Sequence, residues 1–170
     1  MTAMQNMQFN EDDLEPLHEV LDSVSEPKHF GTRLLADLWS EREGEDGFVI
    51  GRDVPSRRIA RVMHNLMLLQ PIVEGGRVKD MRVRIAGDTL NMRFGVNPTG
   101  MLLSELFPEE DFAQHLIRTN QVLDESVPLI LRSELRRGRV TERRLEIAVL
   151  PVWNAGRTER WILAGVFYFN

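Results

Sequence analysis

The order of strand-like and helix-like segments constrains this chain more than any single motif. Residues 66–73 form a mostly apolar run that is followed by a Gly75-Gly76 turn, and Met81–Ile85 alternates strictly between apolar and charged side chains. Two such segments on either side of a glycine turn predict a β-hairpin. Three more strands, separated by glycine-containing turns, are predicted near the end of the chain: Val127–Arg136, Arg143–Val152 and Arg160–Phe169.

Helical spacing of apolar residues marks the segments between and before the strands. In the middle of the chain, it predicts helices over Thr89–Phe94, Leu102–Phe107 and Asp111–Leu123. Before the first strand, it predicts a helix over Phe30–Glu43. A capping residue and a proline in the segment Asp53–Ser56 predict a short helix over Arg57–His64. With sequential antiparallel pairing of the strands, this order predicts an α+β fold: a five-stranded antiparallel sheet with helices on one face and an N-terminal helical extension.

The chain length fits one domain with appended segments, since 170 residues would crowd two full domains. We expect a core over residues 66–170, an N-terminal helical region over residues 29–65, and an acidic tail over residues 1–28. The first 30 residues contain seven acids and a single base. Leucines at helical spacing predict a short helix near Glu11–Leu21, and a mobile tail is the alternative.

The residue types leave most catalytic chemistries without support. The absence of cysteine excludes disulfides, thiolate catalysis and cysteine-ligated metals. The four histidines show no metal-ligand spacing, the glycines form no phosphate loop, and no serine lies in a G-x-S-x-G turn. We therefore predict no catalytic residue and no metal site.

The partner and location predictions also follow from the composition. No stretch approaches the roughly 18 apolar residues of a membrane span, and the first residues lack the pattern of a secretory signal. We therefore expect no membrane partner and a cytoplasmic location. The net charge of −5 comes from the first 30 residues, and the rest of the chain is near neutral, so nucleic-acid binding is not expected.

Three segments resemble sequences of one known family. RIAGDTLNMRFGVNPTGMLLSELFPEED (Arg84–Asp111) resembles the part of PAS domains that leads from the second strand into the helical middle. GRDVPSRRIARVMHNLMLLQPI (Gly51–Ile72) is similar to the opening segment of a family of PAS-type proteins common in alphaproteobacteria, many of them single domains. LEIAVLPV (Leu145–Val152) is similar to the penultimate strand of that family. The resemblance covers residues 30–170.

The resemblance implies a stand-alone sensory or interaction domain of bacterial signalling, which binds a small ligand or a protein partner rather than catalysing a reaction. PAS domains have a small cavity between the sheet and the helices, and their flanking helices often pair between subunits, so we also expect a homodimer. We expect the output to pass through a signalling protein partner. No cofactor is specified. His115 lies in the helix from which haem-binding PAS proteins supply an axial ligand, although a lone helical histidine is more often part of ordinary packing.

Three sets of residues are candidates for these roles, each with a structural alternative. The predicted cavity residues, which could also be plain core, are Val83, Ile85, Phe94, Leu106, Phe112, Leu116, Leu145, Ile147 and Val149. The predicted dimer helix presents a stripe that could instead cover the chain's own core: Phe30, Leu34, Leu38 and Trp39. The anion-binding candidates, which could instead form a solvated edge or pair with the acidic tail, are Arg136, Arg137 and Arg139.

A small-molecule carrier or an enzyme of a related α+β cone fold is the alternative function. An ordered polar triad inside the cavity would favour this alternative. An apolar cavity together with an exposed apolar helix would favour the sensory or interaction domain.

Overall fold

The computed structural model describes residues 16–169. The strands in this range are β1 (Leu17–Ser23), β2 (Phe48–Val49), β3 (Leu66–Glu74), β4 (Arg77–Ala86), β5 (Leu129–Arg137), β6 (Val140–Trp153) and β7 (Arg160–Tyr168). The α-helices are α1 (Phe30–Glu41), α2 (Asp88–Phe94), α3 (Leu103–Leu106) and α4 (Glu109–Glu125). Two 3-10 segments occupy Glu43–Glu45 and Arg57–Asn65.

All the strands belong to one sheet. Its antiparallel neighbours run in the order β1-β5-β6-β7-β3-β4, and the two-residue β2 adds to β6 in parallel. The predicted β3–β4 hairpin and the predicted β5–β6–β7 series are confirmed. Sequential pairing was wrong at one point, because β3 rather than β4 joins the hairpin to the last three strands, by pairing with β7. The α+β class is confirmed, with β1 and β2 added to the five predicted strands.

Both faces of the sheet are covered by helical segments. Because side chains alternate along each strand, successive residues of one strand belong to different cores. On β6, Leu145 and Ile147 belong to a core that contains residues of α2, α3 and α4. Ala148 and Leu150 belong to a second core, shared with α1 and the Arg57–Asn65 segment. We call these the inner and the outer face of the sheet. The N-terminal helical extension therefore forms a second layer over the outer face.

The strand β1 corrects the expectation for the acidic N-terminal segment. Residues 17–23 are neither helical nor a free tail but pair along their whole length with β5. The leucine spacing was misleading, because the side chains that turn inward on β1 are Glu19 and Leu21, two residues apart. Residues 1–15, which include the start of the predicted helix, lie outside the described residues.

Candidate functional site

A small cavity lies between the inner face of the sheet and helices α2–α4. Its volume is about 50 Å³, enough for about four water molecules and well below the ~300–1,000 Å³ of sites for drug-sized ligands. Most of the wall is apolar and comes from β3, β6 and β7 together with the aromatic rings of Phe94 and Phe107. The polar part of the wall comes from Glu19, Arg93, His115, Arg118 and Thr119.

Eight of the nine predicted cavity residues lie on the inner face or pack against it. Phe94, Ile147 and Val149 line the cavity itself. The other five belong to the surrounding core, either buried or partly buried: Val83, Leu145, Leu106, Phe112 and Leu116.

Ile85 was wrongly placed in this set, because its side chain is 58% exposed. Simple alternation puts Val83 and Ile85 on one face, but the β3–β4 register shifts between Leu68 and Leu69. Val83 is therefore opposite Leu69, which faces inward, whereas Ile85 is opposite Leu68, which faces outward. A bulge of this kind reverses the orientation of the residues beyond it.

Glu19 of β1 is the centre of a buried polar cluster at the cavity wall. The residue is 3% exposed, and its carboxylate accepts hydrogen bonds from His115 Nε2 and from Ser133 Oγ, the latter at 2.5 Å. Arg93 Nη2 lies 3.4 Å from Glu19 Oε2. The carboxylate therefore has a donor from each of three elements, α4, β5 and α2, which is the condition for a buried charge to be tolerated.

The protonation of Glu19 is set by two opposing effects. Burial by itself would raise the pKa of this carboxyl group, because it disfavours the charged form. The hydrogen bonds from His115 and Ser133, together with the electrostatic attraction of the neighbouring His115 and Arg93 side chains, outweigh burial and hold the pKa below its ordinary value of 4.5. Glu19 is therefore an ionised carboxylate at neutral pH, and the cluster is a charged network that contains the ion pair between Glu19 and Arg93.

Helix α4 forms hydrogen bonds with backbone groups of β1 and β4, the two strands at the edges of the sheet. On β1, Glu19 N donates to Asp111 Oδ1 at 3.2 Å, and Gln114 Nε2 donates to Glu19 O at 3.0 Å. On β4, Val78 N donates to Asn120 Oδ1 at 3.1 Å, and Asn120 Nδ2 donates to Val78 O at 3.2 Å. The same helix thus satisfies strand edges that would otherwise be open and closes the cavity.

The comparison with protein families agrees with this architecture. A family model described as PAS domain matches residues 27–166. The chain belongs to the PAS-domain family. PAS domains are generally sensory or interaction domains without catalytic activity. No curated protein and no solved structure matches the chain significantly.

The matched region of this PAS domain begins after β1. Arg93, His115 and Ser133, the three donors of the polar cluster, lie inside the matched region, whereas the carboxylate that they bind belongs to a strand that precedes it. The sequence prediction missed this cluster. The position of Ser133 could have been predicted, because it lies two residues from both Leu131 and Leu135 on β5 and therefore shares their buried face. The position of Glu19 could not, because nothing local distinguishes it from the other acids near it.

The cluster contains a serine, a carboxylate and a histidine but not the arrangement of a nucleophilic triad. In such a triad, the histidine lies between the other two and takes the proton of the hydroxyl group. Here Glu19 lies in the middle, and both Ser133 and His115 donate to it. Ser133 is fully buried and does not contact the cavity wall. The residues present therefore do not form an activated nucleophile.

His115 does not fit the role of a haem ligand in this arrangement. Its Nε2 is bonded to Glu19, its ring packs against Phe107 with 4.5 Å between the ring centres, and the cavity beside it is only about 50 Å³. The ordinary packing role that we considered for a lone helical histidine describes it better.

The entry of the chain into α1 is fixed by a second buried carboxylate, on the outer face. Glu146 of β6 is 0% exposed and accepts hydrogen bonds from the backbone N–H groups of Lys28 and His29 at 2.9–3.0 Å. The His29 ring stacks on Phe167 at 4.7 Å and accepts a hydrogen bond from Gly31 N, which caps the helix. Burial lowers the pKa of His29 although the Glu146 charge acts in the opposite direction. This end of α1 is thus tied to the centre of the sheet.

The four residues of the predicted dimer helix divide between core and surface. Leu38 and Trp39 are buried in the outer-face core, where Trp39 Nε1 donates to Pro151 O at 3.0 Å. Leu34 packs at the margin of this core, and Phe30 is 52% exposed. The core-covering alternative therefore describes Leu38 and Trp39, and of the four predicted residues Phe30 and Leu34 present apolar surface.

The predicted anion-binding arginines lie at the β5–β6 turn. Arg136 bonds to Glu134 at 2.5 and 2.9 Å, and Arg137 bonds to Glu142 at 2.9 Å. These arginines are thus neutralised within their own hairpin, and Arg139 is exposed at the turn. They do not form a bare sheet edge, because β1 covers β5.

Within residues 16–169, no group of three or more histidine, aspartate and glutamate side chains is arranged to hold a metal ion. None of the helices in this range is both long and apolar enough to cross a membrane.

Proposed function

We propose that this PAS domain is a sensory module of bacterial signalling that binds a small ligand in the inner-face cavity and passes the resulting change to a protein partner. The observation that carries this proposal is a small, mostly apolar cavity with positively charged and hydrogen-bonding groups at one part of its wall. Apolar walls supply affinity, and a few convergent polar groups supply orientation. The volume suits a molecule of few heavy atoms with a polar or anionic end.

The contacts of α4 support a route by which ligand binding could be read out. His115, Arg118 and Thr119 of α4 line the cavity, and the same helix holds the edges of β1 and β4 through three side chains. A ligand that displaces α4 would therefore loosen both edges of the sheet together. A partner that distinguishes the two positions of α4 would receive the signal.

The test combines native mass spectrometry of the purified protein with thermal-shift screening against small aliphatic acids, amides and alcohols. We expect a bound mass, or a compound that raises the Tm, in the wild-type protein. Ala164→Leu should abolish this effect, because Ala164 lines the cavity and the larger side chain fills it. Ala113→Leu adds the same volume to an exposed position of α4 and should leave binding unchanged. Absence of any bound mass or Tm shift, or equal binding by Ala164→Leu, would contradict ligand sensing.

We also propose that the domain forms a homodimer through α1, with Phe30 and Leu34 in the interface. The support for this proposal is the apolar surface that these two residues expose beside the buried part of the helix. Phe30→Glu should give a folded monomer in light scattering. Leu38→Glu is unsuitable for this test, because it would place a charge in the core.

The alternative function is that of a small-molecule carrier or an enzyme of a related α+β cone fold, and the enzyme is the second candidate here. One observation favours it, the imidazole of His115 held by a buried carboxylate at the cavity wall, an arrangement that can serve a general base. His115→Gln would abolish turnover of any ligand found by the screen if His115 is catalytic. If the compound is recovered chemically unchanged after prolonged incubation, the sensory function is retained and catalysis is excluded for that compound.

A further inference from the structure

The carboxylate of the buried cluster and the three side chains that bind it belong to different parts of the chain. Arg93, His115 and Ser133 converge on one point of the PAS core, and all three lie within the region that matches the family. The carboxylate at this point belongs to Glu19, on a strand outside that region. The core by itself therefore presents a carboxylate-binding site beside the edge of β5, and β1 occupies both.

The strand β1 is held by few side-chain contacts. Among its seven residues, only Glu19 and Leu21 are buried, and the remaining five are half-buried or exposed. The other interactions are backbone hydrogen bonds to β5 and the two bonds from Glu19 to α4. Any extended segment can form backbone bonds of this kind at a strand edge. Specificity for β1 thus rests on one carboxylate and one leucine side chain.

The chain that follows β1 would allow the strand to leave without disturbing the rest of the domain. Val24 N still bonds to Ile130 O of the sheet, and the next fixed points are the N–H groups of Lys28 and His29 on Glu146. Between them, Ser25 and Glu26 are exposed. Because Glu146 fixes the start of α1 independently of β1, release of β1 does not require movement of α1.

We propose that this site is a docking site for an extended acidic segment of a partner protein, and that β1 is the intramolecular occupant that the partner strand replaces. The matching segment carries a glutamate that reaches Arg93, His115 and Ser133, with an apolar residue two positions later in the site of Leu21. The requirement for a carboxylate comes from the side chains of Arg93, His115 and Ser133, which donate to one point beside the edge of β5. This inference goes beyond the proposed function, because it requires no ligand in the cavity.

The proposal is tested with a fluorescent peptide of residues 16–24, PLHEVLDSV, whose binding to the 170-residue protein is measured by fluorescence anisotropy. In the wild-type protein, the tethered β1 competes at an effective concentration of the order of millimolar and should suppress binding. Glu19→Ala in the protein weakens this competition, so we expect the peptide to bind that variant at least about tenfold more tightly than the wild type. Leu21→Ala, which leaves the carboxylate cluster intact, is the second variant in case Glu19→Ala does not fold.

The peptide itself provides the matched control. Replacing its glutamate by alanine should weaken binding to the Glu19→Ala protein at least about tenfold, whereas replacing its aspartate, which corresponds to the exposed Asp22, should change binding little. Failure of the peptide to bind either folded variant, or equal binding with and without the glutamate, would overturn the proposal. A wild-type dimer that exchanges β1 and binds no peptide would also overturn it, by making a second copy the occupant.

Discussion

The substitution Glu19→Gln tests whether the buried cluster contributes to stability as a charged network. The carboxylate is 3% exposed and has donors from His115, Ser133 and Arg93. Glutamine keeps the shape but removes the charge and turns an N–H₂ group toward at least one of these donors. Breaking a buried ion pair in this way costs about 3 kcal/mol. For a domain of this size, such a loss lowers the Tm by roughly 6–12 °C.

The assay is urea unfolding followed by circular dichroism at pH 5.5, 4.5 and 3.5. The folded-state pKa of Glu19 lies below the ordinary 4.5, so its contribution is complete above the unfolded pKa and is lost as the pH falls through the folded one. The difference between wild type and Glu19→Gln should therefore shrink below pH 4.5. Asp22→Asn, at an exposed position of the same strand, should change the unfolding free energy by less than about 0.5 kcal/mol.

A double-mutant cycle with His115→Gln separates the pairwise interaction from general damage. Because the two side chains are bonded to each other, the double variant should be more stable than the sum of the single effects predicts, by about 1 kcal/mol or more. Additive effects, or a Glu19→Gln variant within about 0.5 kcal/mol of the wild type at pH 5.5, would refute the ion-pair network.

Two further substitutions test the attachment of α1 to the outer face. Glu146→Gln should lower the unfolding free energy by about 1–2 kcal/mol, because the carboxylate charge is lost and an N–H₂ group replaces Oε2, which accepts from Lys28 N. Thermal unfolding measures this loss, with the exposed Glu142→Gln as a control that stays within about 0.5 kcal/mol. Gly165→Ala should cost about 1–3 kcal/mol, because the added Cβ would lie 2.4 Å from a methyl carbon of the buried Leu35. Gly156→Ala is the control and should leave the Tm unchanged, because its Cβ would lie 3.8 Å or more from its nearest neighbours. Equal Tm values for the two alanine variants would contradict the close approach of α1 to β7.

The two buried carboxylates have related roles on opposite faces of the sheet. Glu19 ties an added edge strand to helices α2 and α4, and Glu146 ties the start of α1 to β6. The six residues between β1 and α1, 24–29, therefore join two segments that are held independently. This arrangement allows a change at β1 to occur while the outer-face layer keeps its position.

Local sequence patterns predicted most of the helices and strands. The β3–β4 hairpin, the last three strands, α1 and the helices between β4 and β5 follow from alternation, helical spacing and glycine turns, all of which act over a few residues. The resemblance of three segments to PAS-type sequences implied the PAS-domain family, which the family comparison confirmed. The apolar cavity wall could be predicted in part for the same reason, since Ile147 and Val149 alternate on β6.

The tertiary structure decided the features that depend on distant partners. Residues 17–23 became a strand because the edge of β5 is available to them, and a bulge relative to β3 turned Ile85 outward. The position of Glu19 in the charge cluster depends on His115 and Ser133, which are 96 and 114 residues away in sequence. Short-range periodicity determines which segments form and which face of each is apolar. The choice of strand partners and the burial of the Glu19 charge depend on contacts between segments that are far apart in the sequence. These contacts form only when the complete sheet has assembled and α4 packs against it.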